Sequence, residues 1–143
     1  QAAVTTPATM DTMPFAQETE MLFRCVSEHD FDTLAALCDD DFGIIDLGTE
    51  GQNVVVETRQ EWEAWFNKLF AQLDAMDAHT STEIQKYQAL QMGAMGYSVV
   101  DFYQRLTVAG ETARFNCVAT IIWKQTADGW KESRWHCSLI NRE

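Results

Sequence analysis

The chain has 143 residues and carries 22 Asp and Glu against 10 Lys and Arg, a formal charge of −12. That balance repels phosphate backbones and anionic lipid surfaces, so neither nucleic acid nor membrane is an expected partner. With 46% hydrophobic and 11% aromatic residues it is also unlike a disordered acidic segment, and its longest apolar run, residues 117–123, falls far short of the roughly 18 residues a membrane-spanning helix needs.

Residues 1–12 are small and polar and read as a flexible tail before a single domain at 13–143; they show neither the basic start nor the apolar run of an export signal. Pro14 suits a first helical turn, and Phe15, Leu22, Phe23 and Val26 recur at helical spacing behind it. Asp30 caps a short second helix expected to run through Cys38, with the acidic run Asp39, Asp40 and Asp41 ending it. Residues 42–47 and 53–56 read as short strands around a turn at 48–51. The third helix carries the strongest local signal. Thr58 and Glu61 form a capping box, and Trp62, Trp65, Phe66, Leu69, Phe70, Leu73 and Met76 share one face.

From Thr82 onward the apolar period changes from 3.6 to 2, predicting an antiparallel meander of four strands near 82–92, 94–107, 112–125 and 130–140. Ala109-Gly110 and Asp128-Gly129 supply the hairpin turns. The fold class is therefore α+β, helices first. Residues 1–80 hold 16 acids and 3 bases, and residues 81–143 hold 6 acids and 7 bases. A near-neutral sheet face can stack on another copy with little repulsion, so a homodimer through the outer sheet face is expected.

On the penultimate strand Phe115, Cys117, Ala119, Ile121 and Trp123 alternate with more polar neighbours and define the inward face. A three-residue final loop sets 119 opposite 137 and 121 opposite 135, turning Ser133, Trp135, Cys137 and Leu139 inward and Arg134 and His136 outward. If the preceding hairpin keeps this parity, Tyr97, Asp101 and Tyr103 also face inward. Asp101 is then either held by structural hydrogen bonds or a functional acid on an apolar face. The cysteines Cys25, Cys38, Cys117 and Cys137 lack C-x-x-C or metal-ligand spacing and read as scattered buried thiols in a reducing, cytoplasmic setting; neither metal nor cofactor is expected. His29 and His79 have no paired ligands near them in sequence, and His136 with Arg134 and Asn116 reads as an outer polar seam.

This order of elements, closing on Asp128-Gly129-Trp130-Lys131 and Trp135-His136-Cys137-Ser138, resembles the nuclear transport factor 2-like superfamily over about residues 12–141. The ending is most similar to the SnoaL-like and kinase association-domain branches. The resemblance implies a cystatin-like cone: a curved mixed or antiparallel sheet wrapped around three helices, with an internal pocket. The stretch from Asp40 to Gly48 resembles the one carrying the general base of ketosteroid isomerases, which implies that role for Asp46, although Leu47 stands where those enzymes have proline. Their oxyanion donors correspond to Leu22 or Phe23 and to Ile121. The pocket arginines of the association domains correspond to Asp101, Ile121 and Cys137, so an anionic ligand is disfavoured and a small neutral or apolar molecule is expected.

Asp46 and Asp101 are accordingly the candidate catalytic residues, Asp46 as a carboxylate whose pKa rises as the pocket strips its solvation. Asp101, with Tyr97 or Tyr103, would supply the oxyanion-stabilising half. Trp65, Phe66, Tyr97, Tyr103, Phe115, Ile121, Trp123, Ser133 and Trp135 are the candidate ligand-binding residues. The chemistry expected is an isomerase, cyclase or dehydratase step. The alternative is a non-catalytic ligand-binding or assembly module, with Asp46 holding a turn and the tryptophans serving as core.

Overall fold

A computed structural model describes residues 3–47 and 51–143. The elements, in chain order, are β1 (Val4–Thr5), a 3-10 turn (Met10–Thr12), α1 (Ala16–Glu28), α2 (Phe31–Ala36), β2 (Cys38–Leu47), β3 (Asn53–Val56), α3 (Arg59–Ala75), β4 (His79–Met92), β5 (Met95–Val108), β6 (Glu111–Thr126) and β7 (Gly129–Arg142). The strands form one mixed sheet in the order β1-β4-β5-β6-β7-β2-β3, with two edges and no closure. β2 runs parallel to β7, and β4 to β7 form the expected antiparallel meander. Register shifts leave extra residues in β2, β4 and β7, which bend such a sheet. No described helix is long and apolar enough to cross a membrane.

The caps form where the sequence places them. Asp30 accepts from Thr33 N–H at 3.2 Å, and Thr58 Oγ1 accepts from Glu61 N–H at 3.1 Å while donating to the Glu61 carboxylate. Arg59, in the first turn of α3, donates to the carbonyls of Cys38, Asp39 and Ala35 at 3.0 to 3.1 Å. This pins the start of α3 to the end of α2 and the start of β2. α3 therefore runs alongside β2 and finishes near the end at Leu47.

Three local expectations are corrected. Residues 3–12, expected as a tail, pair and pack: β1 lies parallel to β4, and Met10 is buried. The second helix stops at Ala36, because Cys38 already pairs with Glu132; the acidic run belongs to β2, where Asp39 meets Lys124 at 3.1 Å. Phe15 is not within α1 but precedes it in a left-handed conformation (φ 62°). That strained backbone turns its ring inward to stack on Trp123 at 5.6 Å and to meet the edge of Trp130 at 4.9 Å. The ring lies over Gly96, where an added Cβ would sit 2.4 Å from Phe15 Cζ. Tyr87 Oη donates to Pro14 O at 2.6 Å and anchors the segment. This closes the end of the fold at the β4–β5 and β6–β7 hairpins. Of the turn expected at 48–51, residues 48–50 lie outside the described residues.

Candidate active site

At the other end of the sheet, β2 and β7 finish, β5 turns into β6 and β4 begins. The pairing of His29 with Asp74 brings the ends of α1 and α3 there as well. Along β2, alternate residues Phe42 and Ile44 are buried, and Asp46 continues that inward row. Ile44 lies opposite Trp135, so the Trp135 indole reaches Asp46: its Nε1–H donates to Oδ2 at 3.0 Å, while Leu47 N–H donates to Oδ1 at 2.7 Å. The Cys137 thiol makes a third contact. Burial pushes the carboxyl pKa up to about 6, and these hydrogen bonds to the charged form restrain it from going higher. Asp46 is thus a carboxyl balanced between acid and base near neutrality, as a general acid/base requires.

Two further groups share this interior. Cys137 touches Cys117 as well as Asp46; the Cys117 contact, followed by burial, pushes the Cys137 thiol up, so it stays protonated and able to donate to the carboxylate. Glu132 is buried with Cys38 Sγ 3.6 Å from its Oε2. Burial raises its pKa to about 8, against the Cys38 contact and with help from the charge on Asp46. It is therefore a neutral carboxylic acid at pH 7. Among the described residues no group of three His, Cys, Asp or Glu side chains is arranged to hold a metal ion.

The expected ligand-binding residues divide by position. Between Cys117 and Ile122 the β6–β7 register is as anticipated, with Ala119 opposite Cys137 and Ile121 opposite Trp135, but it arises otherwise: the loop has two residues, not three, with Thr126 opposite Gly129, and an extra residue in β7 restores the pairing. Ile121 and Trp123 face inward but are wholly buried, Trp123 donating to Ser98 Oγ at 3.0 Å. Trp65, Phe66, Phe115 and Trp135 are half-buried and pack against the core.

Asp101, Tyr97 and Tyr103 do not join them. Ala109 and Gly110 both have positive φ and form a two-residue turn, which sets Val108 opposite Glu111 and pairs even positions of β5 with odd positions of β6. Ser98, Val100 and Phe102 consequently face inward, and Asp101 lies opposite Val118 on the outer face. Ser133 is displaced by a different cause. The shift between Ile122 and Trp123 makes it the extra residue of a bulge and puts Glu132 on the inner face in its place. On the outer face, Leu90, Met92, Met95, Gly96, Tyr97 and Ile122 line an open apolar groove of about 380 Å³.

Neither Glu132 nor the Asp46–Cys137–Cys117 contact is among the expected site features, and His29, expected to stand without paired ligands, meets Asp74. The thiol contact had a signal, since the anticipated register already placed Cys117 diagonal to Cys137. Glu132 had none, because a bulge leaves no trace in strand periodicity.

A family model described as the SnoaL-like domain matches residues 19–142. No curated protein matches the chain. Among solved structures, the beta subunit of benzoate 1,2-dioxygenase from Burkholderia mallei, 12% identical, is similar with a TM-score of 0.74 over 90% of this chain and 91% of that one. An NTF2-like protein with a cystatin-like fold from Novosphingobium aromaticivorans, 14% identical, gives 0.67 over 82% and 74%. A type 2 hexachlorocyclohexane dehydrochlorinase, 12% identical, gives 0.68 over 87% and 84%. At such identities the likeness to these structures is one of fold. The family match is of another kind: it runs from within the first helix to the last strand and takes in Asp46, Trp135 and Cys137, and on it this chain, with its cystatin-like fold, belongs to the SnoaL-like domain family.

Proposed function

We propose that the protein is a small-molecule enzyme in which Asp46 moves a proton to and from an apolar substrate, in an isomerase, cyclase or dehydratase step. The observation that carries this reading is the Asp46 carboxyl. It is inward-facing, held by Trp135 and Cys137, and displaced by burial to about pH 6, where either protonation state is accessible. The half-buried ring of Trp135, packed edge-on against Phe23, supplies apolar surface beside it. Asp46, ionised at neutral pH on the inner face, disfavours an anionic group beside it, while Arg142 stacks 5.3 Å over Phe115. Two proteins of the same fold are named as a dehydrochlorinase and a dioxygenase subunit, which is consistent with small-molecule chemistry on this scaffold. Deuterium exchange α to the carbonyl of 2-tetralone, followed by NMR, tests the reading. Exchange above the buffer rate, rising with a group titrating near pH 6 and falling about a hundredfold in Asp46→Asn, is expected. Equal exchange in wild type and variant would overturn it.

The same reading includes a homodimer through the outer sheet face. In favour of this is the open groove, where Met92 is 76% exposed and Met95 48%, on the near-neutral half of the chain. Sedimentation should give a dimer, and Met95→Glu should shift it toward monomer; a wild-type monomer at high concentration would contradict the expectation.

A further inference from the structure

His29 ends α1 and meets Asp74 at the end of α3, with Nδ1 2.6 Å from Oδ1. A carboxylate can only accept, so the shared proton sits on Nδ1, and in the neutral ring Nε2 is left with a lone pair. That nitrogen is buried and finds no hydrogen-bond partner among the described residues, although the side chain as a whole keeps 12% of its surface exposed. Buried nitrogens without partners are rare and call for a reason. The surroundings point to one. The imidazole stacks on Phe70 at 5.2 Å, and Phe70 meets Phe66, one of the half-buried rings of the open end, at 5.4 Å. His29 caps α1, the helix whose Phe23 packs on Trp135, the residue that holds Asp46. Thr80, near the start of β4 at this same end, carries a second buried polar atom without a partner, Oγ1.

We propose that His29, oriented by Asp74, is a second polar anchor of the interior, whose Nε2 accepts the hydrogen bond of a hydroxyl carried on an apolar ring, a phenol or enol. In turnover the hydroxyl proton passes to Nε2, the O–H bonding pair stays on the oxygen, and Asp74 balances the imidazolium. The inference rests on reading the interior as a ligand site, but it assigns the hydroxyl end of the ligand to His29 and not to Asp46.

The test uses 2-naphthol as probe, with binding measured by calorimetry and the His29 ring nitrogens observed by ¹⁵N NMR. In the free protein Nε2 should give the signal of an unprotonated ring nitrogen and Nδ1 that of a protonated one. Adding 2-naphthol should move Nε2 far more than Nδ1. His29→Phe keeps a ring to stack on Phe70 but loses the acceptor, and should bind about tenfold more weakly, the worth of one buried hydrogen bond. Asp74→Ala should bind more weakly and release Nδ1 from its fixed protonation. An unchanged affinity in a folded His29→Phe protein, an Nε2 signal indifferent to 2-naphthol, or no binding by wild type would each overturn the proposal. If His29→Phe does not fold, the wild-type ¹⁵N response and Asp74→Ala decide alone. Loss of 2-tetralone exchange in Asp46→Asn together with an unresponsive His29 would leave Asp46 standing and remove His29; the converse pattern would do the reverse.

Discussion

The two ends of the sheet are built from similar residues to opposite effect. At the β4–β5 and β6–β7 hairpins, Phe15, Trp123 and Trp130 interlock over Gly96, and the polar atom there, Trp123 Nε1, is satisfied by Ser98. At the end where β2 and β7 finish, the rings of Phe66, Phe115 and Trp135 are only half-buried, burial pushes the Asp46 carboxyl up to about 6, and three buried polar atoms, His29 Nε2, Thr80 Oγ1 and Asn116 Oδ1, have no partner among the described residues. One end is finished as a core. The other is left incomplete, and it is there that the proposed ligand site lies.

Stability should follow this division, and truncating each end in turn is the sharpest way to break it. Phe15→Ala opens a void between two tryptophans and should cost about 3 to 5 kcal/mol in chemical denaturation, whereas Phe66→Ala, half-buried at the start, should cost roughly half as much. Equal losses would erase the distinction between a packed and an open end.

The next effect in size concerns Glu132, which belongs to neither end's surface. Its carboxyl titrates near the ordinary 4.5 when unfolded and at about 8 when folded. Below pH 4.5 both states are protonated and no difference arises. Between the two values unfolding releases a proton, so stability falls by about 1.4 kcal/mol per pH unit, and above pH 8 the loss levels off. Glu132→Gln removes the penalty and should stabilise the fold by roughly 3 kcal/mol at pH 7, with no gain at pH 4. A destabilised variant at pH 7 would show that ionised Glu132 has a partner and that the inner face is wetter than its burial implies.

Much of this was legible in the sequence. Capping boxes are local, so Asp30 and Thr58 marked the helix starts correctly. Strand alternation is short-ranged too, and it gave the inward row Cys117, Ala119, Ile121 and Trp123 along with the partners of 119 and 121 on β7. Errors entered wherever one residue changes parity. The two-residue turn at Ala109-Gly110 moved Asp101, Tyr97 and Tyr103 to the outer face, and the bulge at Ser133 exchanged it for Glu132. The β2 start was hidden because three consecutive aspartates read as a helix stop, while in the fold Lys124 and the Arg59 contacts hold that segment as strand. His29 and Asp74 lie 45 residues apart and meet only because two helices end together, a juxtaposition without a local signature.

The titration of Asp46 is the most direct test of proton transfer at this site. Following its carboxyl carbon by ¹³C NMR from pH 3 to pH 9, with Asp46→Asn to assign the signal, should give a midpoint at about 6. A midpoint at the ordinary 3.8 would mean a solvated side chain at a strand end, and the case for chemistry at this position would be gone.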